Sequence, residues 1–360
     1  MRINVTKSFL PPIEEYQNQI KRIWETKWLT NNGPLLVELE EKLRNYLNIK
    51  NITIVNNGTI ALQLAIKALG LTGEVITTPF SYCATTTSLL WENLEPVFVD
   101  IQKHDLNIDA NLIEAAITPK TSAILATHVY GRPCDVEKIE EIAKKHKLKV
   151  IYDAAHAFGV DYKGKSLLSY GDVSTCSFHA TKVFHTIEGG SVVCNDTEVF
   201  EQIKLMKSFG HVLDEYYVAG INGKNSEFHA AMGLVNLNHL ADIISGRKTI
   251  FEKYSRELNF SILEKPKSNN SEELVYNYAY YPIVLPNEET TLRIIDKLNE
   301  VDIFPRRYFY PSLNKLKYLN TYQRCPVSED ISLRVLSLPL YPDLDIEDQE
   351  RIIDIVNKNL

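Results

Sequence analysis

The sequence predicts an α/β fold built on a mainly parallel sheet, and two observations support this prediction. From about residue 51, short apolar segments alternate with amphipathic helical segments, the order found when crossover helices join parallel strands. Short apolar strands in this order are typical of a sheet that helices cover on both faces. The chain has 360 residues, and because single cores stop growing near ~250–300 residues, a second and smaller unit is expected.

Three regions follow one another along the chain. Residues 1–33 contain two adjacent prolines and two tryptophans, and they are predicted to form an arm that lies against a larger unit. Residues 34–245 are predicted to form the large domain, which opens with an amphipathic helix at Pro34. Residues 246–360 are predicted to form a smaller α+β domain, whose final helix is capped by Asp345.

The strands predicted for the large domain lie between helical segments. The first five are Ile52–Val55, Glu74–Thr77, Pro96–Val99, Ser122–Leu125 and Lys149–Tyr152. The last of these ends at Asp153, and open α/β sheets bind ligands at the carboxyl ends of their strands. Asp153 is therefore a candidate site residue.

Charge and cysteine content exclude several classes of protein. The formal net charge is -7 and the sequence has no basic block, so no nucleic-acid or anionic-membrane partner is predicted. The five cysteines are widely spaced and lack a Cys-x-x-Cys pattern, which predicts no metal site and a reduced compartment. No signal peptide and no apolar run of ~20 residues is present, so we expect a cytoplasmic protein.

A lysine, a strand-end acid and phosphate-binding groups indicate a pyridoxal 5′-phosphate (PLP) enzyme. PLP needs a lysine amine for its aldehyde, a carboxylate for its pyridine nitrogen and donors for its phosphate. Lys182 follows a strand-like segment and precedes Gly189 and Gly190, while Ser177 offers a hydroxyl to a phosphate. Asn57-Gly58-Thr59 opens a helix after a strand, where backbone amides and the helix dipole favour an anion.

Each of these residues also has a purely structural interpretation. Lys182 could be a solvated charge, Asp153 a turn cap, and Asn57-Gly58-Thr59 a plain helix start. His156 could orient Asp153 or a ring hydroxyl of the cofactor, or be a buried structural histidine. Tyr82 could lie against the face of the cofactor or pack in the core.

Taken together, these motifs resemble the DegT/StrS family of nucleotide-sugar aminotransferases over essentially the whole chain. The resemblance also rests on segments 222–227, 306–311 and 336–341. It implies a type I PLP-dependent transferase fold, like that of aspartate aminotransferase, with a large PLP-binding domain and a smaller C-terminal domain. It further implies a homodimer whose two active sites are each completed by the partner subunit.

The resemblance also implies a role for each candidate residue. Lys182 corresponds to the Schiff-base lysine, Asp153 to the partner of the pyridine nitrogen, and Tyr82 to the residue stacked on the cofactor ring. The remaining predicted cofactor ligands are Gly58, Thr59 and Ser177 for the phosphate, Asn222 for the phosphate of the other subunit, and His156 beside the ring. Arg306, Tyr308 and Tyr310 are predicted substrate contacts, although a hinge between domains would use similar residues.

The implied reaction moves the amino group of L-glutamate to a nucleotide-linked keto sugar. The amino-terminal segments 4–12 and 28–34 resemble enzymes that aminate C4 of dTDP-4-keto-6-deoxy-D-glucose for surface polysaccharide (O-antigen) synthesis. The segment Lys182-Val183-Phe184 resembles enzymes that aminate 3-keto sugars, so C3 remains an alternative.

Three other functions fit the sequence less well. A dehydratase of the same fold is disfavoured because such enzymes replace the lysine by histidine. A non-catalytic PLP-binding regulator is disfavoured by the joint presence of Lys182, Asp153 and the phosphate-binding residues. An NAD-dependent oxidoreductase is disfavoured because the sequence has no Gly-x-Gly-x-x-Gly.

Overall fold

The structure is a computed structural model that describes residues 2–267, 271–319 and 321–360. Met1, residues 268–270 and Asn320, which belong to the predicted arm and small domain, lie outside the described residues. The helices are α1 (Ile13–Thr26), α2 (Pro34–Leu47), α3 (Gly58–Ala68), α4 (Cys83–Trp91), α5 (Ala110–Ile113), α6 (Val136–His146), α7 (Thr197–Met206), α8 (Glu227–Asn238), α9 (Leu240–Glu257), α10 (Glu288–Asn299), α11 (Pro326–Arg334) and α12 (Ile346–Lys358).

Strands are shorter and several belong to small separate sheets. They are β1 (Ile3–Asn4), β2 (Ile52–Val55), β3 (Glu74–Thr77), β4 (Glu95–Phe98), β5 (Thr121–Thr127), β6 (Lys149–Asp153), β7 (Asp161–Tyr162), β8 (Lys165–Ser166), β9 (Val173–Ser177), β10 (Gly190–Cys194), β11 (His211–Val212), β12 (Glu215–Tyr216), β13 (Leu274–Val275), β14 (Tyr281–Val284), β15 (Ile303–Phe304) and β16 (Val335–Leu338).

A seven-stranded sheet forms the centre of the molecule, with the strand order β2-β10-β9-β6-β5-β3-β4. Only β10 runs antiparallel to its neighbours β2 and β9 in this sheet, so the prediction of a mainly parallel sheet is confirmed. The register pairs Gly190 with both Val55 and Ser177. The ends of β2, β6 and β9 and the start of β10 therefore meet at one edge of the sheet.

Helices cover both faces of this sheet, which explains why its strands are apolar throughout. On one face, Ile52 and Ile54 share a core with residues of α2, α6 and α8. On the other face, Val55 and Val75 share a core with residues of α3 and α7. Alternate strand residues thus point to opposite helical layers, as a parallel sheet requires.

A separate core lies in the C-terminal region, around the antiparallel pair β14 and β16 and the helices α10 and α12. Helix α9 joins the two cores. Leu240 and Ile243 at its start pack in the core of the large sheet, and Ile250 and Tyr254 pack in the C-terminal core. The predicted boundary between residues 245 and 246 falls inside this helix, and the division into domains remains a prediction.

The amino-terminal segment is partly helical and contacts both cores. Strand β1 pairs with β15, and Ile3 is buried in the C-terminal core. Helix α1 packs on α8, where Ile23 is buried in the core of the large sheet and the Trp24 ring meets the Phe228 ring edge-on at 5.9 Å. Within the described ranges, no helix combines the length and apolar character needed to cross a membrane.

Candidate active site

A cavity of about 370 Å³ lies at the sheet edge where β2, β6 and β9 end. The predicted site residues that line it are Gly58, Thr59, Tyr82, Asp153, His156, Ser177, Lys182, Arg306 and Tyr308. Asn222 and Tyr310 do not line this cavity. The carboxyl ends of these strands therefore bring most of the predicted residues together, as the sequence predicts.

Asp153 is a buried carboxylate at the floor of the cavity, with a hydrogen-bond donor on each oxygen. The Thr85 hydroxyl donates to Oδ2 at 2.6 Å, and the Ala155 backbone N–H donates to Oδ1 at 3.1 Å. Burial raises the pKa of the Asp153 carboxyl, while these two hydrogen bonds and the Lys182 charge oppose that rise. A cationic partner in the cavity would relieve the cost of burying this carboxylate.

Three hydroxyl groups form a directed chain that ends on Asp153. Thr127 donates to Ser81 at 2.9 Å, Ser81 and Thr85 lie 2.7 Å apart, and Thr85 donates to Asp153. Because Thr85 gives its proton to the carboxylate, Ser81 acts as the donor to Thr85. These hydrogen bonds were not predicted from the sequence. They connect four elements of the large unit, namely β5, the loop after β3, α4 and β6.

His156 is a buried histidine of the cavity, and its hydrogen bonding shows which ring nitrogen carries the proton. Burial lowers the pKa of the imidazole well below its usual range, and the Lys182 charge adds to the shift. Its Nδ1 accepts the backbone N–H of Tyr130 at 3.3 Å, so the proton of the neutral ring lies on Nε2. His156 can therefore donate a hydrogen bond from Nε2 near neutral pH.

Lys182 lies in the turn between β9 and β10, where its backbone N–H donates to the carbonyl of His179 at 2.9 Å. Its side chain lines the cavity together with Tyr280, whose hydroxyl lies 3.5 Å from Nζ. Tyr280 was not among the predicted site residues. Its ring also meets the His156 ring edge-on, with centroids 4.8 Å apart.

The start of α3 provides backbone donors at the cavity wall. The Asn57 side chain caps the helix by accepting the N–H of Ile60 at 2.9 Å, which leaves the N–H groups of Gly58 and Thr59 for another acceptor. A Cβ added at Gly58 would lie 3.0 Å from the Cβ of Ser177. The glycine therefore lets α3 and the Ser177 hydroxyl approach each other closely.

Asn222 lies in a second cavity of about 450 Å³, which Glu188 links to the first by lining both. The second cavity is lined mainly by polar side chains, including Asn56 and Lys224. Phe209 also lines it and is 47% exposed. In a single chain, Asn222 thus lies apart from the cavity that contains Lys182.

Residues from the C-terminal region form the wall of the first cavity opposite the sheet. The Tyr280 and Tyr308 rings meet edge-on at 5.7 Å, and Phe309 stacks on His156 at 5.7 Å. The Tyr130 hydroxyl donates to the backbone carbonyl of Tyr308 and fixes the loop against the large unit. Tyr310 points elsewhere, and its ring lies under the Arg307 guanidinium at 3.5 Å.

Comparison with known proteins shows the family of the chain. Residues 12–357 match the sequence model of the DegT/DnrJ/EryC1/StrS aminotransferase family. The chain belongs to this family. Membership confirms the family resemblance and the PLP-dependent transferase fold predicted from the sequence, and it identifies the protein as a PLP-dependent aminotransferase.

Two curated family members are similar over almost their full length. The chain is 44% identical to the dTDP-4-amino-4,6-dideoxy-D-glucose transaminase of Shigella dysenteriae, over 99% of this chain and 98% of the relative. It is 43% identical to the transaminase of the same name from Escherichia coli, over 96% and 95%. The crystal structure of DesI in the presence of its TDP-sugar product superposes with a TM-score of 0.93 at 31% identity, covering 99% and 92%.

The cavity fits the cofactor of this aminotransferase family in three respects. A lysine amine lies within it, a buried carboxylate lacking a cationic hydrogen-bond partner ends β6, and free backbone donors with hydroxyl groups lie at the start of α3. Gly190 supports this arrangement, because a Cβ there would lie 2.6 Å from the Asn57 carbonyl carbon. No group of His, Cys, Asp and Glu suited to a metal ion occurs among the described residues.

Proposed function

We propose that this protein transfers the amino group of L-glutamate to C4 of dTDP-4-keto-6-deoxy-D-glucose and forms dTDP-4-amino-4,6-dideoxy-D-glucose. The observation that carries the proposal is the similarity, over nearly the whole chain, to two transaminases that bear this product's name. The product would serve surface polysaccharide synthesis, including O-antigen.

In the proposed reaction, PLP supplies an aldehyde that condenses with amines and a ring that accepts an electron pair. Lys182 would bind the aldehyde carbon, and its released amine would take the proton from the α-carbon of L-glutamate. The same amine would deliver a proton to C4 of the sugar in the second half-reaction. L-Glutamate would leave as 2-oxoglutarate. The amino group that it loses would be the one that the keto sugar gains.

The other residues would hold the cofactor in place and tune it. Asp153 would keep a proton on the pyridine nitrogen, since its buried carboxylate gains a cationic partner there. His156 would donate from Nε2 to the ring hydroxyl, and Tyr82 would lie against the ring. Gly58 and Thr59 would offer backbone N–H groups, with the Ser177 hydroxyl, to the phosphate.

We further propose a homodimer in which the partner completes each active site. Asn222 lies in the second cavity, away from Lys182, and would serve the phosphate in the other subunit. The hairpin β11–β12 lies between Ser208 and Asn222, which form a β-bridge, and it exposes Leu213 by 86% and Tyr216 by 76%. Such exposed apolar residues mark interaction surfaces more often than free surface.

The proposed function is tested by locating the new amine in the product. The PLP-loaded protein is incubated with L-glutamate and dTDP-4-keto-6-deoxy-D-glucose, and the product is examined by nuclear magnetic resonance. An amine at C4 is the expected result. Amination of the corresponding 3-keto isomer instead would assign the protein to the C3 alternative, and no amino sugar from either substrate would reject the proposal.

A further inference from the structure

Two adjacent arginines, Arg306 and Arg307, have opposite environments. Arg307 forms an ion pair with Glu288, with 3.0 Å between Nη1 and Oε1, and does not line the active-site cavity. Arg306 lines that cavity, and in the described part of the chain its guanidinium forms no ion pair. Arg306 is also the one arginine among the described lining residues. One charge is therefore neutralised within the fold, and the other faces the space where substrates bind.

The backbone of Arg306 is fixed although its side chain is exposed. Arg306 and Ser337 exchange two backbone hydrogen bonds, of 3.2 and 2.8 Å, which attach the loop to β16. The guanidinium carbon lies 5.5 Å from the centre of the Tyr308 ring. The anchor holds the start of the side chain in place while the guanidinium remains available to a ligand.

Aromatic contacts connect Arg306 with Lys182, because the two residues contact neighbouring rings. The Tyr308 ring contacts the Tyr280 ring at 5.7 Å, and the Tyr280 hydroxyl lies 3.5 Å from the Lys182 amine. A series of contacts through two aromatic rings thus connects the guanidinium with the amine. A substrate group that reaches Arg306 must be remote from the carbon that reacts at Lys182.

Both proposed substrates carry such a remote anionic group. In L-glutamate the γ-carboxylate is separated from the reacting α-carbon by two methylene groups. In the nucleotide sugar the diphosphate is attached at C1, across the ring from C4. Because both substrates react at Lys182 in turn, both must occupy the same cavity, and a guanidinium fork fits carboxylate and phosphate oxygens alike.

We propose that Arg306 is a shared anion receptor, which binds the γ-carboxylate of L-glutamate in one half-reaction and the diphosphate of the nucleotide sugar in the other. This inference rests on the proposed function and adds to it the residue that recognises both substrates. It explains how one cavity accepts two substrates with unrelated carbon skeletons. It also predicts that the two substrates compete for the same guanidinium.

The test compares Arg306→Gln with Arg307→Gln as a matched control. The glutamate half-reaction is followed by the absorbance of the bound cofactor, with L-glutamate and with L-glutamine, its neutral analogue. Arg306→Gln should raise the half-saturating concentration of L-glutamate about 10- to 100-fold, the range for losing a charged hydrogen-bonded pair. It should leave that of L-glutamine unchanged, so the preference for glutamate disappears.

Binding of the diphosphate is measured separately, by calorimetry with dTDP, UDP and GDP. The nucleotide that the wild-type protein binds most tightly should bind Arg306→Gln about 10- to 100-fold more weakly, for the same reason. Arg306→Lys should fall between the wild-type protein and the glutamine variant, since it keeps the charge and loses the fork. Arg307→Gln should match the wild-type protein in both experiments.

The proposal is overturned if Arg306→Gln weakens the binding of only one of the two ligands, L-glutamate or the nucleoside diphosphate. It is also overturned if Arg307→Gln weakens the binding of both ligands as much as Arg306→Gln does, or if the wild-type protein binds no nucleoside diphosphate. Circular dichroism and cofactor absorbance establish that each variant is folded and loaded. Neither experiment requires the keto sugar. A failure to form the C4 amino sugar would therefore reject the proposed substrate and leave the result for Arg306 standing.

Discussion

The two sides of the active-site cavity are built from different kinds of structure. The sheet side, formed by Asp153, His156, Ser177 and Lys182, comes mainly from strand ends and the turns that follow them. The C-terminal side, formed by Tyr280, Arg306, Tyr308 and Phe309, comes from loops. Asp153 is 6% exposed, whereas Arg306 is exposed.

We propose that this difference separates chemistry from recognition. The sheet side is held by buried hydrogen bonds and by backbone pairing, so its groups are already oriented before a ligand arrives. The C-terminal side presents the exposed side chain of Arg306, which we propose adjusts to two different substrates. Changes on the sheet side should therefore lower the rate of the reaction, and changes on the C-terminal side should lower the affinity for substrates.

The substitution Lys182→Ala should lower the activity more than any other change. Because in the proposed reaction one amine both binds the cofactor and moves the proton, we expect no detectable turnover with L-glutamate, while the protein stays folded. Product formation is measured chromatographically and folding by circular dichroism. Substantial turnover by this variant would remove the basis for placing the chemistry on the sheet side.

Asp153→Asn should have the next largest effect. The amide keeps the shape of the side chain but cannot hold a proton on the pyridine nitrogen by its charge. We expect kcat to fall roughly 10²- to 10³-fold, as when a charge-stabilising contact is removed from an active site. Steady-state rates at saturating substrates provide the measurement, and near-normal rates would show that the ring lies elsewhere.

Thr85→Val tests the hydroxyl chain and should have a smaller effect. The variant loses the hydrogen bond to Oδ2 of Asp153, which lowers the pKa of that carboxyl in the wild-type protein. The pKa of Asp153 should rise further, so the acid limb of the kcat profile should move to higher pH. Thr85→Ser, which keeps the hydroxyl, should retain the wild-type profile. A profile unchanged in the valine variant would contradict a role for the chain.

His128 allows the burial of side chains beneath the sheet side to be tested without changing a residue that lines the cavity. It follows β5, stacks on Tyr152 at 4.4 Å, and burial lowers its pKa to about 3. The unfolded chain should bind a proton near pH ~6.5, so this group stabilises the fold above that pH and loses its contribution as pH falls towards about 3.

The corresponding measurement is urea unfolding of the wild-type protein and His128→Asn at pH 7 and pH 5. Asparagine can still accept the Cys134 N–H that His128 accepts at 3.1 Å. Between these two pH values the wild-type free energy of unfolding should fall more than that of the variant, by up to about 1.4 kcal/mol per pH unit. Equal losses would mean that the imidazole is protonated within the folded protein.

The same contrast explains what could be predicted from the sequence. The position of Asp153 in the cavity could be predicted because an apolar strand precedes it, and parallel strands place their carboxyl ends at one edge. The positions of Gly58 and Thr59 there could be predicted because they follow β2 and open a helix. These are local signals, and each is carried by a few consecutive residues. The fold class could be predicted for the same reason.

Other parts of the site carry no local signal. The chain from Thr127 to Asp153 joins hydroxyl groups on separate elements, and threonines and serines at such positions look like ordinary polar residues. Tyr280 lies 98 residues from Lys182 in the sequence, and only the packing of the C-terminal region brings the two together. Helix α1 was expected only as part of an arm, although Glu14 and Glu15 in its first turn are a helix-start signal.

The division between chemistry and recognition is tested most directly by the single-turnover glutamate half-reaction in Asp153→Asn and Arg306→Gln. The rate is recorded by stopped-flow absorbance over a range of L-glutamate concentrations. We expect Asp153→Asn to lower the limiting rate without changing the half-saturating concentration, and Arg306→Gln to raise the half-saturating concentration without changing the limiting rate. If both variants change the same parameter, the two sides of the cavity do not have separate roles.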